Sequence, residues 1–262
     1  MIETSAHEAR AVILCAGRGS RLGALTRDLP KVLAQLAGRS LLEWKLRALN
    51  AIGVHEIYAL TGYAADKLSD TGLPCIRNER WASTNMVSTL LCADSLLGRP
   101  GRTLVCYGDV VFHPEILQAT LNCREDIVLP YDRSWRALWE ARFADPTSDV
   151  ESFSQRGGRL MEIGRRVSDL DSIEGQFMGL LAITREGWTR MRSALSTLSP
   201  ETIDRTDTTA LLSLLVASGA AVHAVGVDGR WCEVDSQNDL DLYRGCLLMP
   251  DWQHDWRWEK VG

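Results

Sequence analysis

The stretch LCAGRGSRL at residues 14–22 decides the fold, because it closes a strand and opens a glycine-rich loop. The apolar run AVILC at 11–15 is typical of a strand that is buried on both faces of a sheet. Pro30-Lys31 follows the loop after seven intervening residues. This order predicts the first strand of a parallel sheet, with a ligand site at its carboxyl end.

The loop carries the features of a phosphate site. Gly17 and Gly19 let backbone N–H groups approach an anion, and a helix that begins there adds its positive end. Arg21 offers a fork of donors to phosphate oxygens, and Lys31 supplies a compact cation. The alternative is a plain glycine turn with solvated basic side chains.

Two familiar glycine motifs do not fit this loop. A Walker A loop requires Gly-Lys at its end, and that pair is missing here. A dinucleotide fingerprint requires a third glycine where this chain has Leu22, and Gly23 comes one residue late. The loop therefore predicts a different class of nucleotide site.

Strands alternate with helices through the first ~110 residues, which predicts parallel strands with crossover helices. The second half is less regular and predicts mixed strands, with a loop or hairpin at 145–159. The predicted strands are 11–15, 55–60, 103–107, 127–129, 138–143, 177–184 and 222–227. The predicted helices are 41–52 after Ser40, 85–97 after Ser83 or Thr84, 203–218, and a helix from Ser236 through 248.

Composition excludes several classes of protein. The 262 residues are 45% hydrophobic and 24% charged, which excludes disordered and fibrous chains. A net charge of −5 argues against a nucleic-acid partner. We expect a cytoplasmic protein without a membrane partner, because no apolar run reaches ~18 residues and the N-terminus does not resemble a signal peptide. Seven scattered cysteines predict reduced core thiols.

Three carboxylates predict a metal site. Asp109 follows the buried strand at 103–107, and Asp235 follows the short run at 231–234. Glu233 lies on the same side of an extended chain as Asp235. If these strand ends converge opposite the phosphate loop, their hard oxygen ligands suit Mg²⁺. The alternatives are a Gly-Asp turn for Asp109 and a helix cap for Asp235.

The motif L-C-A-G-R-G-S-R-L-(x)7-P-K resembles the signature of the nucleotidyltransferase superfamily. NERWASTNMVSTL at 78–90, YGD at 107–109 and WCEVDS at 231–236 are similar to its CTP-dependent branch, which includes phosphocholine and 2-aminoethylphosphonate cytidylyltransferases. The resemblance covers nearly the whole chain. It implies an α/β fold with a Rossmann-like, glycosyltransferase-A-like mixed sheet, mostly parallel and flanked by helices, and a small acceptor-side subdomain.

The resemblance also implies an activity. A phosphonate or phosphate oxygen of a small acceptor attacks the α-phosphorus of CTP, and pyrophosphate leaves. Arg21 and the loop N–H groups hold the pyrophosphate, and Lys31 bridges the α-phosphate and the incoming group. Asp109 and Asp235, with Glu233, hold Mg²⁺. The runner-up is a sugar-1-phosphate nucleotidyltransferase, and the non-enzymatic alternative is a nucleotide-sensing module.

The candidate site residues divide into two groups. The nucleotide group consists of Leu14, Ala16, Gly17, Arg18, Gly19, Ser20, Thr61, Gly62, Tyr63, Asn85, Ser88 and Gly108. The acceptor group consists of Tyr131, Asp132, Trp135, Trp139, Glu140, Arg142, Gln176, Met178 and Trp231. In the acceptor group a choline-like end favours the aromatic residues. A primary amine favours Asp132 or Glu140, and a carboxylate favours Arg142. Each tryptophan has core packing as its alternative.

The chain is interpreted as one nucleotidyltransferase domain over 1–262. A nucleotide-binding half spans about 10–110, and an acceptor-binding half spans about 111–250. Trp252, Trp256 and Trp258 crowd a tail at 251–262. Because aromatic residues are enriched at interfaces, the tail predicts a packed terminus, a homodimer contact or an exposed end.

Overall fold

The computed structural model describes residues 9–259, without the side chains of Ala24 and Leu25. The expectations for residues 1–8 and for the last three residues of the tail lie outside the described residues. The strands are β1 (Ala9–Cys15), β2 (Gln35–Leu36), β3 (Arg39–Ser40), β4 (Glu56–Thr61), β5 (Cys75–Arg77), β6 (Arg102–Tyr107), β7 (Val110–Phe112), β8 (Ile127–Asp132), β9 (Glu151–Arg156), β10 (Arg159–Arg166), β11 (Gln176–Phe177), β12 (Leu180–Thr184), β13 (His223–Val227) and β14 (Trp231–Glu233).

The α-helices of this part of the chain are α1 (Leu41–Ala51), α2 (Asp66–Ser69), α3 (Met86–Leu91), α4 (Asp94–Leu97), α5 (Pro114–Asn122), α6 (Trp135–Arg142), α7 (Arg185–Leu195), α8 (Pro200–Arg205), α9 (Thr208–Ala217) and α10 (Gln237–Cys246). Within residues 9–259, none of these helices combines the length and the apolar character that crossing a membrane requires.

A mixed, mostly parallel sheet runs through both halves of the chain. Its strand order is β5-β4-β1-β6-β12-β8-β13-β10-β9, and β11 also pairs with β8. β5, β4, β1 and β6 run parallel, while β12 runs antiparallel to both β6 and β8. The sheet confirms the predicted α/β class, with a parallel first half and a mixed second half.

The first half forms as its sequence pattern predicts. β1 lies between β4 and β6, and Ala11, Val12 and Ile13 in it are fully buried. Ser40 caps α1 in a capping box with Glu43, as the N-terminal signal of that helix predicts. The carboxyl end of β1 therefore delivers the glycine loop to the edge of the sheet where β4 and β6 also end.

The strand predicted at 138–143 is wrong, because this segment lies in α6. Trp135, Leu138 and Trp139 are its buried residues, and their spacing follows the helical period rather than alternation. The apolar run had been interpreted without Trp135, one turn upstream. The segment at 145–159 includes β9, which forms a hairpin with β10, one of its two predicted alternatives.

Three predicted elements are interrupted. Asn85, rather than Ser83 or Thr84, caps the helix predicted at 85–97, which divides into α3 and α4. The helix predicted at 203–218 divides into α8 and α9, because the Asp207 side chain caps a new helix. The strand predicted at 177–184 breaks before β12, where Gly179 has a φ of 68° and Tyr107 packs against it.

The described part of the tryptophan-rich tail is a packed terminus. Trp256 is fully buried, and its ring meets Trp44 of α1 edge-on at 5.9 Å. Trp258 contacts the same Trp44 ring at 6.0 Å. Of the three alternatives left open by the sequence, packing against α1 is the one observed for residues 251–259.

Lys45 joins α1 to the edge of the sheet where the loop ends. It lies on the buried face of α1 and is 2% exposed. Its ammonium donates to the carbonyl oxygens of Gly108, at 2.9 Å, and of Val110. Burial lowers the pKa of Lys45 to about 8, although the nearby Asp109 opposes this shift. Lys45 therefore fixes the backbone on both sides of Asp109.

Replacing Lys45 by methionine tests this role. The Lys45→Met protein keeps the apolar stem but leaves the two carbonyl oxygens without their donor, so we expect the free energy of unfolding to fall by about 1–3 kcal/mol. Urea denaturation measures the change, with the exposed Lys67→Met as the matched control. An unchanged or higher unfolding midpoint for Lys45→Met would contradict the role.

Candidate active site

A glycine-lined cavity of about 320 Å³ opens at the carboxyl ends of β1 and β6. Gly19 in its loop has a φ of 65°, and a Cβ there would lie 2.8 Å from Cβ of Lys31. Glycine is therefore required at this position, because the chain must turn while Lys31 packs directly behind it. The Gly19 carbonyl accepts from Leu22 N–H and from the Thr26 hydroxyl, which close the turn.

The cavity collects most of the predicted nucleotide group. It is lined by Leu14, Ala16, Gly17, Gly19, Ser20, Asn85 and Gly108, together with Arg21, Lys31 and Asp109. Sequence reasoning missed Val32, Trp81, Met86, Thr89 and Tyr107, which also line it. Trp81 and Met86 fall inside the quoted 78–90 motif, and Tyr107 belongs to YGD, so the motifs held the signal.

Five predicted nucleotide residues lie elsewhere, and their placement is corrected. Thr61 is buried under the wall, and Gly62 packs against Trp81. The N–H of Tyr63 donates to the carbonyl of Ala16, so Tyr63 supports the loop from behind. The Arg18 guanidinium lies over the Tyr63 ring, 5.6 Å from its centroid.

Ser88 is the fifth of these residues. Its hydroxyl donates to Asp204 at 3.0 Å and lines a separate shallow cavity beside α8. Asn85 and Ser88 are neighbours along the chain, but Asn85 is the cap residue and Ser88 lies inside α3. The different position around the helix start sends the two side chains to different cavities.

The predicted carboxylates converge. Oxygen atoms of Asp109, Glu233 and Asp235 lie within 4.8 Å of one another. The antiparallel ribbon of β7 and β14 brings them together, since Val110 pairs with Glu233 and Val234 N–H donates to the Asp109 carbonyl at 2.9 Å. This pairing joins residues more than a hundred positions apart in the chain.

Cations surround this cluster. The Lys31 ammonium donates to Asp109 at 2.8 Å and to Asp235 at 2.6 Å, and Arg21 donates to Asp235 at 2.9 Å. Burial alone would raise the pKa of Asp109, but Lys31 reverses that effect and lowers it. Burial and the charge of Asp235 raise the pKa of Glu233 to about 7.

The cluster fits a hard divalent cation. Oδ1 of Asp109 is buried and has no hydrogen-bond partner in the described part of the chain. Carboxylate oxygens grouped beside a phosphate-binding loop are the donor set that Mg²⁺ prefers. An unsatisfied buried oxygen in such a set is what a metal ligand presents in the absence of the ion.

Arg142 holds the other side of the same cluster. Its side chain is fully buried, and it donates to Glu233 at 3.0 Å, to Asp235 at 3.4 Å and to Asp239 at 3.0 Å. Burial opposes its charge, but these carboxylates raise the pKa of the guanidinium. The prediction that Arg142 would receive an acceptor carboxylate is therefore corrected, because its donors already meet three carboxylates.

A second cavity, of about 180 Å³, adjoins the first and shares Arg21 and Tyr107 with it. Four predicted acceptor residues line it, namely Trp139, Gln176, Met178 and Trp231, together with Glu233 and Asp235. Residues missed from the sequence line the rest, including Asp149, Glu151, Ser152, Phe153, Phe177 and Thr209. Asp149 and Glu151 lie in the segment interpreted only as a loop or hairpin, although two carboxylates at a spacing of two mark one side of an extended chain.

Four predicted acceptor residues lie outside this cavity. Tyr131 stacks on Phe153 with ring centroids 4.7 Å apart, Trp135 packs edge-on against Trp139 at 6.0 Å, and Glu140 is exposed. Their placement is corrected by the helical form of α6, which turns Glu140 to solvent and Trp135 into the core.

Asp132 is the fourth corrected residue, and it serves the scaffold. It is fully buried and accepts from Trp231 Nε1 at 2.9 Å, and it contacts His254 Nε2 at 2.8 Å. The N–H groups of Ser134 and Gly229 donate to its other oxygen. Its carboxylate is thus saturated, and it links the tail to Trp231 of the second cavity.

The sequence matches the MobA-like NTP transferase domain family over residues 11–170. It is 29% identical over 247 residues to a CTP:phosphoglutamine cytidylyltransferase of Campylobacter jejuni, with 88% of this chain and 98% of the relative covered. It is 26% identical over 177 residues to a 2-aminoethylphosphonate cytidylyltransferase of Lancefieldella rimae, with 66% of this chain and 67% of the relative covered.

Two solved structures share the fold. The inositol-1-phosphate CTP transferase from T. maritima has a TM-score of 0.69 at 20% identity, with 90% of this chain and 94% of the other covered. The CTP:phosphocholine cytidylyltransferase from Streptococcus pneumoniae has a TM-score of 0.68 at 18% identity, with 92% and 99% covered. The sequence match shows the family and these structures show the fold: the chain belongs to the MobA-like NTP transferase family, and it is a nucleotidyltransferase with a Rossmann-like fold.

Proposed function

We propose that the protein is a CTP-dependent cytidylyltransferase that transfers CMP to a small phosphonate or phosphorylated amine and releases pyrophosphate. One observation carries the proposal: the Lys31 ammonium bonds Asp109 of the first cavity and Asp235 of the second. A cation at the junction of a phosphate loop and a separate small cavity is placed where a phosphoryl group passes between two substrates.

The first cavity suits the nucleotide. Its glycine loop presents backbone N–H groups to phosphates, and the Arg21 side chain is 67% exposed and free to move onto them. Trp81, Asn85 and Met86 line the opposite wall, where a base and ribose would lie. The choice of CTP over other nucleotides is supported by the names of the relatives from Campylobacter jejuni and Lancefieldella rimae.

The proposed reaction is one in-line displacement. An anionic acceptor oxygen attacks the α-phosphorus, a new P–O bond forms, and the bond to the β-phosphate breaks with its electrons going to pyrophosphate. No strong base is needed, because the attacking oxygen is already deprotonated. Lys31 neutralises charge at the reacting phosphate, and the loop N–H groups hold the leaving pyrophosphate. Mg²⁺, when held by Asp109, Glu233 and Asp235, would supply further neutralisation of the transferring phosphate.

A screen of pyrophosphate release with Mg²⁺ tests this function. CTP, UTP, ATP and GTP are crossed with 2-aminoethylphosphonate, phosphonopyruvate, phosphocholine and glucose-1-phosphate. We expect release with CTP and a phosphonate or phosphorylated amine. Release only with glucose-1-phosphate would assign the sugar-phosphate alternative. CTP binding without release from any acceptor would assign the nucleotide-sensing alternative.

Lys31→Ala is expected to lower kcat by about 100- to 1,000-fold, because one preorganised cation is removed from the transferring phosphate. Steady-state pyrophosphate release measures the effect, and circular dichroism confirms that the variant is folded. The exposed Lys67→Ala is the matched control and should keep the parent rate. Turnover by Lys31→Ala within a few-fold of the parent rate would remove Lys31 from the chemistry.

Asp109→Asn is expected to raise the Mg²⁺ concentration needed for half-maximal activity, because an anionic ligand becomes a neutral one. Second-shell mutations typically cost 10- to 100-fold in metal affinity, and we expect at least about tenfold for a direct ligand. The measurement is a Mg²⁺ titration of initial rates, with the exposed Asp70→Asn as control. If the two variants give the same titration curve as the parent, Asp109 is not a metal ligand.

A further inference from the structure

The second cavity has a strong excess of negative charge. Four carboxylates line it, from Asp149, Glu151, Glu233 and Asp235, against the single guanidinium of Arg21. Glu233 and Asp235 are already paired with Arg142, and Asp235 also with Lys31. Asp149 and Glu151 remain, and neither has a basic side chain within 4.0 Å in the part of the chain that the structure describes.

These two carboxylates are in a costly state without a ligand. Both are only partly accessible, and burial raises the pKa of each above its ordinary value. Neighbouring acids add to the effect at Glu151, where Asp207 and Asp149 raise the pKa further. A partly buried anion without a cationic partner is stabilised when a positively charged ligand enters beside it.

A second observation, independent of the acids, points to a ligand in the same cavity. Trp139 is 4% exposed, and its Nε1 is buried with no hydrogen-bond partner, although it lies near enough to Asp149 to lower the pKa of that carboxyl. The hydroxyl of Tyr107, which lines both cavities, is also buried and unpaired. Buried donors without acceptors are expected where a substrate supplies the acceptor atoms.

We propose that the second cavity selects an acceptor that carries a primary ammonium group, held by Glu151 together with Asp149. This inference rests on the proposed function and names the substrate class for it. Such an acceptor is a small zwitterion: its phosphate or phosphonate oxygens are acceptors for the unpaired donors, and its ammonium is a donor to the unpaired carboxylates. The cavity volume of about 180 Å³ suits a small molecule.

A quaternary ammonium fits this cavity less well than a primary one. Carboxylates recognise a primary ammonium through its N–H groups, which a trimethylammonium lacks, and the usual alternative is a cage of aromatic faces. Here the Arg142 guanidinium already lies 5.5 Å from the Trp139 ring centroid, and Tyr131 stacks on Phe153. The aromatic lining is thus partly engaged, and a cation behind Trp139 weakens the attraction of that ring for another.

A purely anionic acceptor fits least. Arg142, the cation predicted to hold an acceptor carboxylate, is fully buried among three carboxylates. A second carboxylate on the acceptor would therefore face Glu151 and Asp149 without a compensating charge.

The test compares four acceptors with CTP held constant: 2-aminoethylphosphonate, phosphocholine, ethylphosphonate and 3-phosphonopropanoate. We expect kcat/KM to be highest for 2-aminoethylphosphonate. Glu151→Gln should lower it at least tenfold, chiefly through the KM for this acceptor, while leaving the KM for CTP and the rate with uncharged ethylphosphonate near the parent values. The exposed Glu125→Gln is the matched control.

The outcomes separate this inference from the function on which it rests. Turnover of CTP with phosphocholine or 3-phosphonopropanoate preferred, or an unchanged KM in both Glu151→Gln and Asp149→Asn, would overturn the ammonium site and leave the cytidylyltransferase intact. Calorimetric titration of the protein and CMP with 2-aminoethylphosphonate is the second readout. No pyrophosphate from any pair of substrates, with no binding in that titration, would overturn both.

Discussion

The site depends on the compensation of three carboxylates that lie within 4.8 Å of one another. Two like charges about 4 Å apart repel by roughly 4 kcal/mol near a protein surface, so such a cluster needs cations on more than one side. Lys31 supplies one from the phosphate loop, and Arg142 supplies another from α6. The folding of both halves of the chain around this cluster follows from that requirement.

The β7–β14 ribbon converts this local balance into a junction between two cavities. Residues from the first half line the larger cavity, and residues of α6, β9, β11 and the ribbon line the smaller one. The described part of the tail braces the smaller cavity from behind, because His254 contacts Asp132, which also accepts from Trp231. A chain of buried polar contacts thus connects the packed terminus to the wall that faces the acceptor.

The parts of the site that the sequence predicts are those in which local pattern and ligand chemistry coincide. The glycine loop, Lys31 and the three carboxylates follow directly from strand ends and motif residues. Arg142 could not be assigned from the sequence, because its role depends on three carboxylates that reach it only through the ribbon and α10. The same residues looked like a strand when the helical spacing from Trp135 was overlooked.

Helix starts and hairpins account for most of the remaining differences. Ser88 turns towards Asp204 because Asn85 takes the cap position, a choice that chain spacing leaves open. Asp149 and Glu151 reach the acceptor cavity because the segment interpreted as a loop or hairpin includes β9. Lys45 gave a local signal, since a lysine on an otherwise apolar helix face requires a buried partner.

The central claim, that an acceptor oxygen attacks the α-phosphorus directly, is tested most directly by isotope position. The enzyme is given CTP and 2-aminoethylphosphonate labelled with ¹⁸O on its phosphonate oxygens, and the products are read by ³¹P NMR. The account predicts ¹⁸O in the bridge between the two phosphorus atoms of the product and unlabelled pyrophosphate. Label in the pyrophosphate, or CTP consumed while the phosphonate remains unchanged, would contradict it.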